Sequence, residues 1–236
     1  MKLACSSTAF DQQLRGGDLT QLEWIDACAR ELAADGAVLD VRHFPRTDTD
    51  YLAQIKKLAA DLGLSVAALR HDGFFTADDA HKEQALEMAL AVGAPLLSAP
   101  LPPMTAAAWN DVLTGLGQAA SLAKRFNVTL ALRNQPNSFA AGTHDMKRVT
   151  KETDSAWLRY GPDFDTLEEG SDPNELLPKA VLAWLDYASA DSAADLVRGM
   201  LRAYRGFLVL DAAQGDANVA GMKAVVDRIW RLSHEV

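Results

Sequence analysis

The sequence alternates short apolar runs with longer amphipathic segments from one end to the other, in units of roughly 30 residues. Apolar runs such as AVLDVRHF, VTLALRNQ and FLVLDAAQ are typical of buried strands. In the segment LTQLEWIDACARELAADG, apolar residues recur at helical spacing from Leu22 to Leu32, and Gly36 is the expected helix end. About eight strand–helix units follow one another. The weakest of them contains Pro162, Pro173 and Pro178, which disturb any regular element.

Strands that alternate with helices run parallel, because each helix carries the chain back along the sheet. Eight such units in 236 residues predict an α/β fold, a single (β/α)8 TIM barrel that forms one domain over residues 1–236. The alternative is an open doubly wound sheet. Against it, no GxGxxG motif follows the first strand, and the sequence contains no P-loop.

Composition narrows the class of partner and the compartment. The chain has 23 basic and 32 acidic residues, a formal net charge of -9, so its surface repels nucleic acid. No stretch approaches about 18 uninterrupted apolar residues, and the N-terminus lacks the apolar region of a signal peptide. Cys5 and Cys28 are too few for a disulfide framework and are expected to be buried free thiols. We expect a cytoplasmic protein with no membrane or nucleic-acid partner.

In a (β/α)8 barrel the reactive side chains follow the carboxyl ends of the strands. This rule selects a limited set of polar residues in the sequence. They are Ser6, Ser7 and Thr8 after the first strand, Asp40, Arg42 and His43 after the second, Arg70, His71 and Asp72 after the third, Arg133, Asn134 and Gln135 after the fifth, Asp163 and Asp165 after the sixth, Trp184 and Asp186 at the seventh, and Asp211 and Gln214 at the eighth.

Several of these candidates have two interpretations. Asp40 lies in an apolar run, where a carboxylate is expected to pair with a barrel arginine such as Arg42, Arg70 or Arg133. His43 and His71 are either solvated loop residues or hydrogen-bonding and acid/base groups. Trp184 is either core packing or an apolar wall against which a sugar ring stacks.

Three segments carry a resemblance to a known family: MKLACSSTAF, GAVLDVRHF, and above all VTLALRNQPNSF followed by a short helix. With this order of elements the chain resembles the xylose-isomerase-like TIM barrels, the sugar-phosphate isomerase/epimerase group that also includes endonuclease IV. The resemblance runs over essentially the whole chain. It implies a sugar-like small-molecule ligand, a homodimer, and a divalent metal ion held by four residues at the barrel mouth.

Carried over residue by residue, the metal site of the family departs from its usual pattern. Arg133 stands where the family has a metal-binding glutamate, Asn134 and Pro136 match, and Gln135 stands where a histidine is common. After the sixth strand, Asp165 matches the family's aspartate, but Glu168 stands where a histidine often follows. At the seventh strand Trp184 replaces a histidine, while Asp186 is retained. At the eighth strand Asp211 replaces a glutamate.

A guanidinium cannot bind a metal ion, and at a few ångströms it would repel one by several kcal/mol at an effective dielectric of about 20. We therefore expect no metal cofactor, with Arg133 in part of the metal's place and held by Asp165 and Asp211. The alternative is Mn, Mg or Zn bound weakly by other groups, for example His71 with Asp165 and Asp211.

The resemblance implies the function of a sugar isomerase or epimerase acting on a small sugar, sugar acid or hydroxy-keto compound. The alternative is an inactive barrel that binds such a ligand as a sensor or accessory subunit. A repair nuclease is excluded by the net charge and the missing ligands. The expected catalytic residues are Asp165, Asp211, His71 and Arg133. The expected substrate-binding residues are Ser7, Arg42, His43, Asn134, Gln135, Trp184 and Gln214.

Overall fold

The computed structural model describes residues 1–233, which contain eight strands. They are β1 (Lys2–Ser6), β2 (Gly36–Asp40), β3 (Ser65–Arg70), β4 (Leu96–Pro100), β5 (Thr129–Arg133), β6 (Leu158–Tyr160), β7 (Leu182–Asp186) and β8 (Phe207–Asp211). The helices are α1 (Asp11–Gly16), α2 (Gln21–Arg30), α3 (Thr49–Asp61), α4 (Asp79–Val92), α5 (Trp109–Phe126), α6 (Thr143–Thr153), α7 (Ala194–Ala203) and α8 (Val219–Ser233).

The strand order decides between the two predicted sheets. The strands form one eight-stranded sheet in the order β6-β5-β4-β3-β2-β1-β8-β7. Neighbours in the sheet are thus neighbours in the chain, apart from the step between β1 and β8, whereas a doubly wound sheet reverses direction at a switch point. The (β/α)8 barrel is confirmed as the fold class, and the open doubly wound alternative is wrong.

One strand–helix unit departs from the pattern. Between β6 and β7 the described chain contains no α-helix, only the short 3-10 turns Pro173–Glu175 and Leu177–Lys179. Prolines remove the amide donors that a helix needs, and Gly170 adopts a left-handed φ of 83°. The departure falls in the unit that the prolines were expected to disturb.

The chain divides into two compact units, each of which is described by itself. The first unit comprises Met1–Ala67 together with the chain from Trp184 onward, and the second comprises Ala68–Ala183. The expectation of a single domain over residues 1–236 stays a prediction.

The first unit is built around β1. This strand pairs in parallel with β2, where Cys5 lies opposite Ala37, and with β8, where Cys5 lies opposite Leu210. Helix α2 begins at a capping box in which Thr20 and Glu23 bond each other's backbone amides. Cys5 and Cys28 are both buried free thiols, as expected, and burial raises the pKa of the Cys28 thiol well above its ordinary value.

The second unit is built around β5. This strand pairs in parallel with β4, where Arg133 lies opposite Pro100, and with β6, where Leu132 lies opposite Tyr160. Tyr160 also forms a parallel bridge to Ala180, just before β7 begins. The carboxyl ends of β4 and β5 therefore lie side by side, which brings Arg133 and the loops that follow these strands to one edge of the unit.

None of the helices within residues 1–233 is both long and apolar enough to cross a membrane.

Candidate functional site

Arg133, the last residue of β5, is held by a carboxylate from the loop after β6. Its Nε and Nη2 both donate to Oδ2 of Asp163, at 3.0 and 2.6 Å. The Arg133 side chain is 15% exposed and that of Asp163 is 7% exposed, so water competes little for this pair. The guanidinium is thereby fixed in position and orientation at the carboxyl edge of the sheet.

Asn134 fixes the same loop from the next position along the chain. Its Nδ2 donates to the carbonyl oxygen of Asp163 and to Oγ1 of Thr166, both at 3.0 Å, and its Oδ1 accepts from the Asp163 amide at 2.6 Å. The side chain is almost entirely buried. These bonds make Asn134 a clamp between β5 and the loop that carries Asp163, and its expected role in binding substrate stays a prediction.

A cavity of about 370 Å³ opens over these strand ends in the second unit. Arg133, Asn134, Gln135 and Thr166 form one side of it. Arg70 is part of the lining too, along with Asp72 and a set of prolines: Pro100, Pro102, Pro103 and Pro136. A volume of this size holds a small organic molecule, and the proline rings give it stiff apolar walls around a few charged groups.

The second cation of this cavity, Arg70, ends β3 and is also bound by a carboxylate. Its Nε and Nη2 donate to the two oxygens of Asp72, each at 2.9 Å, in a bidentate pair. Only 11% of the Arg70 side chain is exposed, against 44% for Asp72. Two guanidinium groups, each with a carboxylate partner, thus line one cavity.

His71 lies between Arg70 and Asp72 in the sequence and is half-buried. It is therefore not the fully solvated loop histidine that one of its two interpretations expected. Its ring packs edge-on against Phe74, with ring centroids 6.3 Å apart. Within residues 1–233 its Nδ1 is buried and has no hydrogen-bond partner. A buried ring nitrogen without a partner is available to a ligand or water, so the acid/base role expected of His71 stays a prediction.

In the first unit, Asp40 at the end of β2 pairs with Arg42. Oδ1 of Asp40 accepts from the Arg42 amide at 2.9 Å and from its Nε at 3.0 Å, while Oδ2 accepts from its Nη2 at 3.0 Å. Asp40 is 1% exposed, and the pairing with an arginine expected for a carboxylate in an apolar run is confirmed.

Ser7, His43 and Asp11 form a hydrogen-bonded chain beside this pair. Nδ1 of His43 lies 2.8 Å from Oγ of Ser7, and its Nε2 lies 2.9 Å from Oδ1 of Asp11. Oγ of Ser7 also accepts from the Asp40 amide at 2.9 Å. A neutral His43 protonated on Nε2 satisfies every one of these contacts, with the Ser7 hydroxyl donating to Nδ1. The solvated-loop interpretation of His43 is wrong, because its side chain is completely buried.

Asp11 carries the charge of this chain of hydrogen bonds. Burial acts to raise its pKa, but the hydrogen bond from His43 and the positive charges of Arg42 and Arg15 outweigh burial and hold the pKa below its ordinary value. Arg42 and Arg15 lie 3.9 and 3.8 Å from the carboxylate. Asp11 is therefore ionised at neutral pH and faces several cations.

The remaining predicted residues of the first unit differ in accessibility. Asp211, at the end of β8, accepts from the hydroxyl of Thr8 at 2.7 Å and from the Ala212 amide at 3.0 Å. Gln214 is exposed, and its carbonyl oxygen accepts from the Gln12 side chain at 3.3 Å. Trp184 is completely buried, which favours core packing over a surface on which a sugar ring stacks.

Comparison with known families now gives the fold family. Residues 27–198 match the family described as "Xylose isomerase-like TIM barrel". The chain belongs to this family. Comparison with curated protein sequences finds no match.

Solved structures of the xylose isomerase-like barrel class agree with this assignment at the level of the fold. The chain is similar to an L-ribulose 3-epimerase, with a TM-score of 0.78 and 15% identity over 99% of this chain and 95% of that one. A probable 3-DHS dehydratase, AsbF of Bacillus anthracis, has a TM-score of 0.77 and 15% identity, over 98% of this chain and 99% of that one. The D-psicose 3-epimerase of Clostridium cellulolyticum H10 has a TM-score of 0.75 and 12% identity, over 100% of this chain and 99% of that one.

The divalent metal ion that this barrel family implies does not fit the residues present. In the part of the chain that the structure describes, no group of three or more histidine, cysteine, aspartate or glutamate side chains is arranged to hold a metal ion. Arg133 places a cation without lone pairs at the end of β5, and Asp163 already neutralises it. That the protein contains no metal cofactor stays a prediction, which the metal content of the purified protein would test.

The structure gives Arg133 an acidic partner that the sequence did not single out. Asp165 and Asp211 were expected to hold it, and the bond that the structure gives is to Asp163, two residues before Asp165. Asp165 is exposed, and its amide donates to Oδ1 of Asp163 at 3.2 Å. The family pattern favoured Asp165, and no feature of the sequence pointed to Asp163. Asp11 was missed altogether because it lies in a helix, five residues beyond the end of β1.

Proposed function

We propose that the protein is an isomerase or epimerase of a small sugar, sugar acid or hydroxy-keto compound, and that it works without a divalent metal ion. The observation that carries the proposal is the Arg133–Asp163 pair, which lies at the position of the family's metal-binding glutamate and lines a cavity of about 370 Å³. The similarity in fold to sugar epimerases supports the class of reaction. Arg133 supplies the positive charge at this position.

The chemical role of Arg133 is electrostatic. Isomerisation and epimerisation next to a carbonyl pass through an enediolate, whose negative charge grows on the carbonyl oxygen. A guanidinium that is already oriented by Asp163 stabilises that charge without reorganising during the reaction. The same group also binds a carboxylate of a sugar acid through paired hydrogen bonds.

The proton is moved by carboxylates. We assign the base to Asp165, which takes the proton from the carbon next to the carbonyl, while His71 assists through its ring nitrogen. Returning the proton to the neighbouring carbon gives isomerisation, and returning it to the opposite face of the same carbon gives epimerisation. Asn134 and Gln135, which line the same cavity as Arg133, are proposed to bind the substrate hydroxyls.

The direct test is proton exchange. Candidate sugars, sugar acids and hydroxy-keto compounds are incubated with the protein in D₂O and followed by proton NMR, with and without added Mn²⁺. We expect loss of the proton next to the carbonyl in at least one compound, at a rate independent of the metal. Tightly bound metal at one equivalent in elemental analysis, together with exchange that stops on its removal, would contradict the proposal.

Arg133→Ala tests the residue that carries the proposal. We expect the melting shift given by the active compound to disappear and the exchange rate to fall by about 100-fold, which corresponds to the loss of one oriented electrostatic group. Arg125→Ala is the matched control, since Arg125 pairs with Glu83 on exposed helix surfaces and does not line the cavity. Unchanged ligand affinity in Arg133→Ala would rule out both of the roles given to this residue.

The alternative is a ligand-binding barrel without catalysis. The observation that favours it is that Arg133 ends β5 at the position where the family resemblance implies a metal-binding glutamate. Both functions predict ligand binding that depends on Arg133, and they differ in turnover. A compound that raises the melting temperature but never exchanges its proton with solvent identifies a sensor or accessory subunit.

A further inference from the structure

The second unit carries a further concave site, about 680 Å³ in volume, at its edge beside α6 and β6. Its lining includes four basic residues, which we call the basic groove: Lys147, Lys151, Arg159 and Lys179. None of the residues that line it also lines the cavity beside Arg133. The two sites are therefore distinct and belong to different parts of the same unit.

The irregular β6–β7 connection supplies one wall of this groove. Where the other strands are followed by a helix, the described chain after β6 has only two 3-10 turns, and Glu175, Pro178 and Lys179 from these turns line the site. Helix α6 and the start of β6 provide the opposite wall. The groove thus lies next to the one strand whose following connection has no α-helix to cover it.

The charges in the groove are opposite in sign to those of the protein as a whole. The four cations are accompanied by two carboxylates, Asp154 and Glu175, in a chain whose formal net charge is -9. Lys147 donates to Glu175. Within residues 1–233, no carboxylate oxygen lies within 4 Å of the charged atoms of the other three cations, Lys151, Arg159 and Lys179, so the lining retains a net positive charge.

Arg159 is held in place by the backbone and not by an acid. Its Nη1 donates to the carbonyl oxygens of Ser155 and Leu158, at 3.5 and 3.3 Å, and the side chain is half-buried. A hydroxyl pair, Thr150 with Tyr160 at 2.8 Å, stands in the same lining. A fixed guanidinium beside mobile lysine ammonium groups and hydroxyls is the donor set that proteins use for phosphate groups.

We propose that the basic groove binds a small polyanion that carries phosphate groups, at a site separate from the cavity beside Arg133. Its volume suits a small molecule more than a flat macromolecular contact. The four cations outnumber the two carboxylates of the lining, and a ligand with two or more negative charges offsets this excess of positive charge. The apolar side chains of Leu158 and Pro178 provide a surface for the part of the ligand that carries no charge.

Binding of inorganic pyrophosphate to the full chain at constant ionic strength tests the site, measured by calorimetry and by the shift in melting temperature. Citrate is the second probe, because it carries a similar charge on carboxylates. We expect pyrophosphate to bind more tightly than citrate. Lys151→Ala combined with Lys179→Ala is expected to weaken pyrophosphate binding by at least about tenfold. Both lysines are exposed, so this variant retains the fold and its melting temperature without ligand does not fall.

Two control variants separate the outcomes. Lys124→Ala removes an exposed lysine outside the groove, and Arg133→Ala removes the cation of the other cavity. Both are expected to bind pyrophosphate as the unchanged chain does. Absence of binding, equal binding of citrate, equal weakening by Lys124→Ala, or loss of binding only in Arg133→Ala would each overturn the proposal. The last outcome would place the anion in the cavity beside Arg133 and would leave the proposed function standing.

Discussion

Single ion pairs decide where the charges of the candidate site lie. Arg133 is oriented by two hydrogen bonds to Asp163, and the buried ring of His43 is oriented by Ser7 and Asp11. In each case a residue after the end of a strand is paired with a residue from a different part of the chain. The side chains that a ligand meets are therefore fixed before it arrives, which lowers the cost of binding.

Asp11 is expected to make stability depend on pH in the acidic range. Its pKa is lower in the folded chain than in the unfolded chain, so the folded state binds its proton less tightly. The resulting stabilisation is present above the unfolded pKa of about 3.9 and is lost as the pH falls through the lower folded value. Urea unfolding of Asp11→Asn should give a free energy of unfolding about 1–2 kcal/mol lower at pH 7, with a smaller decline towards acid.

Asp61→Asn serves as the comparison, because Asp61 is an exposed carboxylate that pairs with Lys57 on one helix. Surface pairs of this kind contribute less than about 1 kcal/mol. If Asp11→Asn and Asp61→Asn change stability equally at every pH, the hydrogen bond from His43 does not stabilise the fold in the way described.

At the scale of elements, the loop after β8 lies directly on the start of α1. The Gln12 amide donates to the carbonyl oxygen of Gly215 at 2.9 Å, and the Ala217 amide donates to the carbonyl oxygen of Ala9 at 2.9 Å. Gly215 has a φ of 65°, and a Cβ at this position would stand 2.7 Å from Cβ of Asp11. The loop therefore requires glycine here for two reasons, conformation and space.

Gly215→Ala and Gly63→Ala separate these two reasons. Gly63 also has a left-handed φ, 68°, but nothing lies within 4 Å of an added Cβ. We expect Gly63→Ala to lower the free energy of unfolding by about 1 kcal/mol through strain alone. Gly215→Ala should lower it by about 2–5 kcal/mol, because overpacking adds to the strain. Equal losses in chemical denaturation would mean that the loop moves away from α1 at no cost.

At the scale of the molecule, the eight strands form one sheet whose order follows the chain apart from the step between β1 and β8. The structure divides into two compact units, and β3 and β7 each contain residues of both. Since no strand can be split between parts that unfold separately without losing its pairing, we keep the prediction of one domain over residues 1–236. The homodimer, the cytoplasmic location and the absence of a nucleic-acid partner also stay predictions.

One domain implies one cooperative transition. Differential scanning calorimetry of the purified chain should give a single peak whose calorimetric and van't Hoff enthalpies agree. Two resolved peaks, or a calorimetric enthalpy well above the van't Hoff value, would mean that the units unfold independently. The variant Gly215→Ala, which lies in the first unit, should then lower one peak alone.

The sequence by itself determined the barrel. Hydrophobic periodicity, helix ends such as Gly93 and the chain order of the units are local properties, and together they favoured the barrel over the open doubly wound sheet, which the strand order then excluded. The sequence also identified Arg133, because a cation in the place of a metal ligand is visible without coordinates.

The tertiary structure alone decided which partners the site residues have. Asp163 and Asp165 are both acidic residues in the loop after β6, and nothing local predicts that Asp163 is buried and bonded to Arg133 while Asp165 is exposed. Asp11 reaches His43 across 32 positions in the chain. A hydrogen bond depends on distances of a few tenths of an ångström between residues remote in sequence, and packing fixes those distances, whereas the alternation of polar and apolar residues does not.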